Sequence, residues 1–394
     1  MKRGCASAPF FFMTRRILSL ALLVLAAASS VFAETDTVSL ASPDGQLVLR
    51  LFVVSPKDAI LVRLAYSVTF HGKLLMDTSL LGIAIHDQEV FLGETVGLVS
   101  ATPASVNQPG NRYNSLIAQY IQNGSLGRRI TIEARAYDDG IAFRYYIPRT
   151  STVEDLQIEE ELTDFHFAQD GDAYAAVAPD YQSKKDDYGK TKMSRIERRS
   201  LLALPFLVEQ PGVGWVAISE AQIDNYPGMY VFHPEGTTMR TTLTPRFDDA
   251  AVAMRGTSPA ETPWRVLMVA TEPRKLLDSQ IVKNLNPASA IADTSWIKPV
   301  KDYVPITYST DLVDHLPEEL MRALKAGAAG ISIDLMHRSD QQMIALYRRA
   351  AKAAADHHLR IEFLNGPTPD GIERTWPNVV PREDAQFKRL LGSF

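Results

Sequence analysis

Apolar and polar residues alternate in short runs along most of the chain, from Thr35 to about Leu285. A period of two is typical of β-strands that bury one face and expose the other. The Ser-Pro-Asp-Gly run at residues 42–45 and the Asp-Asp-Gly run at 138–140 each separate two alternating runs. Because these residue types suit a tight turn, each run predicts a β-hairpin. Many spaced strands with almost no helical period predict a large antiparallel β-sandwich.

The last quarter of the chain shows a different pattern, in which helices and strands alternate. The sequence predicts a helix over residues 317–325, with Pro317 in its first turn, where proline is well tolerated. A second helix is predicted to begin after a cap at Ser339 or Asp340. The apolar runs 330–336 and 359–364 flank this helix and predict strands. A strand–helix–strand unit implies a parallel sheet or a piece of a barrel.

The N-terminal residues have the pattern of a secretory signal. Two arginines precede an apolar run over residues 17–28, and small residues lead up to Ala33. This order predicts export with cleavage after Ala33 and translation from Met13. A membrane anchor is the alternative, but it needs about 20 apolar residues. We therefore expect a signal peptide over residues 1–33, a periplasmic or secreted mature protein, and no membrane span.

Composition narrows the class of partner. The 394 residues include 41 Lys and Arg against 46 Asp and Glu, giving a net charge of −5, and no segment concentrates the basic residues. We therefore expect no nucleic-acid partner and expect a neutral or small polar molecule instead. The one cysteine, Cys5, precedes the predicted start, so the mature protein would have neither a disulfide nor a thiol nucleophile.

Carboxylates are the candidate chemical groups in the C-terminal part. Asp334 lies near the carboxyl end of the predicted strand 330–336, and that end of a parallel barrel faces the active site. The side chain is either catalytic or metal-bound, or it caps the following loop, and strand position leaves these alternatives open. Considered alone, Glu383 and Asp384 fit a solvated surface.

Other chemistries are disfavoured. His357 and His358 are adjacent at a predicted helix end, where cations complement the dipole, and they lack the spacing of a zinc pair. The sequence has no Gly-rich phosphate loop after a strand and no nucleophilic serine turn. Carboxylates without these groups are compatible with glycoside hydrolysis, in which Asp and Glu act as nucleophile and acid.

Several segments, taken together and in order, resemble glycoside hydrolase family 97, the secreted bacterial α-glycosidases. They are residues 42–45, 77–82, 139–145, 219–221, 226–229, 293–299, 333–336, 340–341 and 374–378. The resemblance implies an N-terminal β-sandwich, a (β/α)8 barrel, a calcium ion at the site and a C-terminal β-domain. It also implies an oligosaccharide or small α-glycoside as substrate, with the choice between glucose and galactose left open.

The resemblance assigns roles to individual residues. Asp334 matches the nucleophile of the retaining branch of the family, while Glu220 and Glu383 match carboxylates that bind calcium. Asn365 stands where inverting members carry a base glutamate, which implies a retaining mechanism. Calcium suits such a set of oxygen ligands.

The chain also departs from the family pattern. The 106 residues from 289 to 394 are far fewer than the roughly 250 of a complete barrel, and no residue matches the general acid. We therefore expect a multidomain fold of the β plus α/β class. It consists of an antiparallel β-sandwich over residues 34–288 and an incomplete (β/α)8-type barrel over 289–394.

Two alternatives to an active enzyme follow from these departures. The first is a catalytically inactive, truncated homologue that acts at most as a carbohydrate-binding β-sandwich protein. The second is the product of a gene fragment or frameshift. The sequence does not indicate an oligomeric state.

Overall fold

The structure is a computed structural model that describes residues 33–55, 61–123, 127–150 and 155–394. The predicted signal segment therefore lies almost wholly outside the described residues. In the described part, no helix combines the length and the apolar character needed to cross a bilayer.

The strands of the N-terminal part are β1 (Ala33–Ala41), β2 (Leu47–Ser55), β3 (Arg63–Phe70), β4 (Lys73–Leu80), β5 (Ile83–Ile85), β6 (Val96–Gln108), β7 (Asn111–Gln122), β8 (Arg129–Tyr137), β9 (Gly140–Ile147), β10 (Asp155–Glu161), β11 (Asp164–His166), β12 (Asp172–Ala178), β13 (Gly189–Lys192), β14 (Leu201–Gln210), β15 (Gly214–Ala221), β16 (Met229–Glu235), β17 (Thr238–Leu243), β18 (Met254–Thr257), β19 (Ala260–Glu261) and β20 (Trp264–Ala270). The remaining elements are α1 (Ile281–Leu285), β21 (Val304–Ile306), α2 (Leu312–Lys325), β22 (Gly330–Asp334), α3 (Gln341–Asp356), β23 (Arg360–Leu364) and α4 (Ala385–Gly392).

Antiparallel sheets form the N-terminal part, as the alternation predicts. A four-stranded sheet has the order β1-β2-β3-β4, and a 13-stranded sheet has the main path β11-β17-β16-β14-β15-β20-β9-β8-β7-β6. Apolar side chains from the two sheets share one core, in which the rings of Tyr66 and Phe143 lie 5.0 Å apart. Both predicted hairpins are confirmed, as β1–β2 and β8–β9.

The strand–helix–strand prediction is also confirmed. Within the described residues, β21, β22 and β23 form a parallel sheet in that order, and α3 connects β22 to β23. An isolated parallel bridge joins Ile361 to Val379. We call residues 304–379 the parallel-sheet region. Its own apolar core includes Leu320, Ile333, Tyr347 and Phe363.

Helix α2 corrects one prediction. It begins at Leu312, not at Pro317, which lies inside the helix. Leu312, Leu316 and Leu320 are buried at intervals of four on one face, and this burial favours the longer helix. Pro317 itself is exposed, and its missing N–H leaves one backbone carbonyl of the preceding turn without its helical donor.

Helix α3 begins where the second helix is predicted. Asp340 is the cap, and its Oδ1 accepts a hydrogen bond from the backbone N–H of Met343 at 3.2 Å. Such a cap satisfies one of the unpaired N–H groups of the first turn.

Backbone and amide hydrogen bonds join the parallel-sheet region to the sandwich. The Gln341 amide donates to the carbonyl oxygens of Asn225 at 3.2 Å and Arg255 at 2.7 Å, and accepts from the Arg255 N–H at 2.9 Å. The N–H of Gly228 donates to the Ser339 carbonyl at 2.7 Å. A Cβ at residue 228 would lie 2.8 Å from the Ser339 side chain, so only glycine permits this approach.

Asp370 forms a second junction between the two parts. Its buried carboxylate accepts hydrogen bonds from the N–H of Ile223 at 3.0 Å and the hydroxyl of Tyr347 at 3.1 Å, and pairs with Arg348. Ile223 follows β15 of the sandwich, whereas Tyr347 and Arg348 lie on α3. These contacts fix where the ends of the parallel strands sit against the sandwich.

Candidate active site

A cleft of about 330 Å³ lies between the carboxyl ends of β22 and β23 and the sandwich. We call it the main cleft. Its lining includes Lys185, Glu220, Tyr230, His337, Asn365 and Glu383. The carboxyl ends of parallel strands are where α/β proteins commonly bind ligands, because loops diverge there and leave a crevice.

Asp334 is the last residue of β22 and its side chain is exposed. The Nδ2 of Asn365, at the end of β23, donates to its two carboxylate oxygens at 3.1 and 3.0 Å. The backbone N–H of Met336 donates to Oδ1 at 2.8 Å. The carboxylate therefore caps the following turn, as one sequence alternative holds. It also stays exposed next to Asn365, which lines the main cleft, whereas Asp334 itself does not line it. Its role as nucleophile stays a prediction.

The segments that follow β22 and β23 have unusual backbone conformations. Met336, His337 and Asn365 have φ angles of 53°, 57° and 48°, in the left-handed region that most residues avoid. The N–H of His337 donates to the Asn365 carbonyl at 2.7 Å, which ties the two strand ends together. Strained backbone of this kind persists where the surroundings over-determine it, and it often occurs at functional sites.

Glu220 lies on β15 and reaches the main cleft from the sandwich side. It is 1% exposed, and both of its carboxylate oxygens accept a hydrogen bond from the backbone N–H of Met229, each at 3.1 Å. The Arg265 guanidinium donates a hydrogen bond to Glu220 at 3.0 Å. It also donates to both carboxylate oxygens of Glu161, with its Nε 2.8 Å from Oε1. All three charged side chains are buried, so one guanidinium holds two carboxylates in place.

Burial raises the pKa of the Glu220 carboxyl from an ordinary value of 4.5 to about 7. The positive charge of Arg265 opposes this rise, and so does the hydrogen bond from the Met229 backbone. The free-energy cost of burying the ionised Glu220 carboxylate thus exceeds the stabilisation that Arg265 and the Met229 N–H give it.

Arg265 and Glu161 could not be identified as site residues from the sequence. The available signal was a lone arginine in the apolar run 264–269, since a buried charge needs a partner. Neither partner could be named, because Glu161 is 104 residues away along the chain and Glu220 is 45.

Glu383 lines the main cleft together with Glu220, so the structure brings the two predicted calcium ligands to one cavity. The carboxylate of Glu383 is exposed and pairs with Lys388 at 2.7 Å. The next residue, Asp384, caps α4 through the N–H of Phe387 and pairs with Lys185.

These residues fit calcium only in part. Oxygen donors suit the ion, but calcium takes six to eight of them, and Arg265 already engages Glu220. Nowhere in the described residues do three or more His, Cys, Asp or Glu side chains form a group that could hold a metal ion.

Comparison with family models decides the family. Residues 40–287 match the model of the glycosyl-hydrolase 97 N-terminal domain, and residues 298–385 match the model of glycoside hydrolase 97. The chain belongs to glycoside hydrolase family 97. The predicted family is therefore confirmed.

Two curated relatives have alpha-galactosidase in their names. The retaining alpha-galactosidase of Bacteroides thetaiotaomicron is 22% identical to this chain, in an alignment that covers 87% of this chain and 66% of the relative. A protein of Streptomyces bingchenggensis named "Probable retaining alpha-galactosidase" is 23% identical over 66% of this chain and 51% of its own length. The chain thus spans about two thirds of the length of the first relative and about half of the length of the second.

Solved structures share the fold. A family 97 enzyme of Pseudoalteromonas sp. strain K8, in complex with acarbose, has a TM-score of 0.74 at 17% identity, over 89% of this chain and 70% of the other. A β-arabinopyranosidase has a TM-score of 0.72 at 18% identity, over 88% and 69%. A β-sandwich followed by a barrel-like domain fits the family 97 structure from Pseudoalteromonas.

Proposed function

We propose that this family 97 protein is a retaining α-galactosidase that acts on oligosaccharides, with Asp334 as the nucleophile. The observation that carries the proposal is the position of Asp334. Its carboxylate is accessible at the end of the central parallel strand and is oriented by two hydrogen bonds from Asn365. The names of the two curated relatives support galactose as the sugar, and α-glucosides are the alternative.

In the proposed reaction, a carboxylate oxygen of Asp334 attacks the anomeric carbon while the glycosidic C–O bond breaks. The leaving alcohol takes a proton from an acid, and water then hydrolyses the glycosyl ester, which releases the sugar with its original configuration. Asn365 would hold the attacking oxygen in one orientation, and the wall of the main cleft would exclude bulk water from one side.

The proton donor is not assigned. Of the carboxylates that line the main cleft in the described residues, Glu220 is engaged by Arg265, Glu383 by Lys388, and Asp384 by Lys185. This observation favours a second candidate function, which is sugar binding without turnover. It corresponds to the inactive homologue considered from the sequence.

Hydrolysis of p-nitrophenyl α-galactoside and α-glucoside by the mature chain separates these functions. We expect faster release from the galactoside, and release at the background rate for Asp334→Asn. Asp302→Asn is the matched control, because Asp302 is an exposed aspartate that precedes β21. Proton NMR should show α-galactose as the first product. A folded chain without turnover would leave only the binding function.

Calcium binding by Glu220 and Glu383 is part of the same proposal, and no step of the reaction above depends on it. A ligand that binds only the folded state raises the unfolding temperature. We expect calcium to raise it more than magnesium does at equal ionic strength, and Glu383→Gln to reduce this difference. Glu318→Gln, on the exposed side of α2, should leave this difference unchanged. If calcium and magnesium raise the unfolding temperature equally, calcium binding is contradicted.

Export to the periplasm is proposed on the signal pattern of residues 13–33 alone. Expression of the full chain in a Gram-negative host, followed by N-terminal sequencing of the periplasmic fraction, tests it. We expect the mature protein to begin at Glu34. A chain that keeps its first 33 residues in the cytoplasm would contradict the proposal.

A further inference from the structure

His337 differs from the other histidines of the chain. The sequence has eight, all within the described residues. Six of them place a ring nitrogen within hydrogen-bond or ion-pair distance of a partner, and these are His71, His86, His166, His233, His315 and His357. His358 stacks on Trp296, with ring centroids 5.0 Å apart. Within the described residues, the imidazole of His337 alone has none of these contacts, and His337 lines the main cleft.

The backbone holds His337 in a conformation that is unfavourable for its residue type. The N–H of Arg338 donates to the Leu335 carbonyl at 2.9 Å, so residues 335–338 form a tight turn with Met336 and His337 at its centre. Both central residues have positive φ angles, of 53° and 57°. Turns with two positive φ angles favour glycine, asparagine and aspartate. Residues held against such a preference occur mostly at functional sites.

The same strand end carries the proposed nucleophile. Asp334 lies three residues before His337 and accepts the N–H of Met336 at 2.8 Å. Asn365 contacts both residues, because its Nδ2 donates to Asp334 at 3.0 Å and its carbonyl accepts the N–H of His337 at 2.7 Å. The backbones of Asp334 and His337 are thus held in a fixed relation. Retaining glycosidases need their nucleophile and acid about 5 Å apart, and groups on one tight turn can meet this distance.

The other titratable and charged groups of the main cleft are poorly suited to giving a proton near neutral pH. They are Lys184, Lys185, Glu220, Tyr230, Arg382, Glu383 and Asp384. Ion pairs engage the three carboxylates and Lys185. Burial raises the pKa of Tyr230 to about 12, and lysine and arginine side chains lose their protons only at alkaline pH. An imidazole, in contrast, ordinarily titrates close to neutral pH.

We propose that His337 is the proton donor of the first step and the base of the second. This inference rests on the proposed function, in which Asp334 forms the glycosyl ester. In the first step, an Asp334 oxygen bonds to the anomeric carbon, the glycosidic C–O bond breaks, and the His337 imidazolium gives its proton to the leaving oxygen.

The second step restores both residues. A water oxygen bonds to the anomeric carbon as the ester C–O bond to Asp334 breaks, and the neutral imidazole of His337 takes a proton from that water. His337 ends as the imidazolium and Asp334 as the carboxylate. The cycle therefore consumes one water and needs no other proton donor.

Two substrates with different leaving groups test the proposal on the full mature chain. The p-nitrophenolate ion leaves without a proton, whereas methanol must be protonated as it leaves. His337→Asn removes the titratable ring and tolerates the left-handed conformation. We expect kcat/KM on methyl α-galactoside to fall by about a hundredfold or more, and on p-nitrophenyl α-galactoside by less than about tenfold. His315→Asn, at an exposed histidine of α2, should leave both unchanged.

Azide and pH give two readouts that a merely structural role of His337 would not change. In His337→Asn, the glycosyl ester lacks the base that activates water, so kcat on p-nitrophenyl α-galactoside should fall. Azide needs no base, and we expect it to raise this kcat and to yield α-galactosyl azide. In the parent chain, kcat/KM on methyl α-galactoside should fall as the pH rises and the imidazolium loses its proton. That fall should be absent in His337→Asn.

The outcomes distinguish this inference from the proposed function. If the parent chain hydrolyses p-nitrophenyl α-galactoside, but His337→Asn lowers kcat/KM equally on both substrates and azide yields no galactosyl azide, His337 is not the acid and the proposed function stands. If the folded parent chain hydrolyses neither substrate, the proposed function is wrong and the acid assignment fails with it. Circular dichroism establishes folding, and His337→Gly, which also accepts a positive φ, replaces an asparagine variant that does not fold.

Discussion

Different kinds of contact hold the sandwich together and join it to the parallel-sheet region. Inside the sandwich, apolar side chains of facing sheets pack together, as Tyr66 does on Phe143. Across the junction, Gln341 and Asp370 form hydrogen bonds and an ion pair whose partners come from both parts. Apolar packing tolerates substitutions of similar volume, whereas a buried polar network loses much of its value when one member is absent. The position of the main cleft depends on the second kind.

The buried ion triad is the exception inside the sandwich, and it is where we expect the largest effect. Arg265→Leu leaves the carboxylates of Glu161 and Glu220 buried without their cation. We expect a loss of about 5 kcal/mol in the free energy of unfolding, at the upper end for a broken buried pair, measured by urea denaturation. Arg135→Leu, an arginine stacked on aromatic rings, is the control. An equal loss in both would show that the triad has no special weight.

The junction should give the next largest effect. Asp370→Ala removes the acceptor of Ile223, Tyr347 and Arg348, and we expect a loss of about 3 kcal/mol. Hydrogen exchange measured by mass spectrometry should show that Asp370→Ala accelerates exchange more in α3 and β23 than in β8 and β9. Asp356→Ala, which breaks an exposed pair with Lys352, should cost at most about 0.5 kcal/mol. Uniformly faster exchange would mean that the two parts unfold as one unit.

A substitution at Asn365 extends the comparison to the candidate site, because it tests whether the orientation of the Asp334 carboxylate matters for turnover. Asn365→Ala removes both hydrogen bonds to Asp334, and we expect kcat on the α-galactoside to fall by about tenfold to a hundredfold. KM should change little, because the other residues that line the main cleft remain. Asn107→Ala, in the exposed β6–β7 hairpin, should leave kcat unchanged. A rise in KM with constant kcat would assign Asn365 to sugar binding instead.

The smallest expected effect lies on the sandwich surface, where His86 and Glu159 pair at 2.5 Å. This hydrogen bond raises the pKa of His86 above its ordinary value of 6.5. The pair therefore stabilises the fold below pH 6.5, and the stabilisation disappears as the pH rises through the raised pKa. His86→Gln should slightly flatten the fall in unfolding temperature between pH 6 and 8. An unchanged slope would show that water and salt screen the pair completely.

Local signals predicted the elements, whereas long-range contacts escaped prediction. The Asp-Asp-Gly run at 138–140 determines its hairpin through residues that are adjacent in sequence, so it could be read directly. Gln341 was noted only as part of a family motif. Its partners Asn225 and Arg255 are 116 and 86 residues away, and no local pattern pairs them. The start of α2 was wrong because Pro317 outweighed the buried Leu312, whose burial only the tertiary structure reveals.

The candidate site follows the same division. Asp334 could be placed at a strand end because period and turn signals are local. That Asn365 holds its carboxylate depends on how the ends of two strands meet, and these strands are joined by a helix of 16 residues. The roles assigned by family resemblance to Asp334, Glu220 and Glu383 stay predictions for the experiments above.

The close approach of Gly228 to Ser339 has a consequence for how the protein is made. A ribosome completes the sandwich residues before it adds most of the parallel-sheet region, and domains commonly fold as they emerge. The surface around Gly228 can therefore form before Ser339 is synthesised, and the later residues can then dock onto it. A side chain at position 228 would then act during biosynthesis, by blocking the docking of a newly made segment onto a finished one.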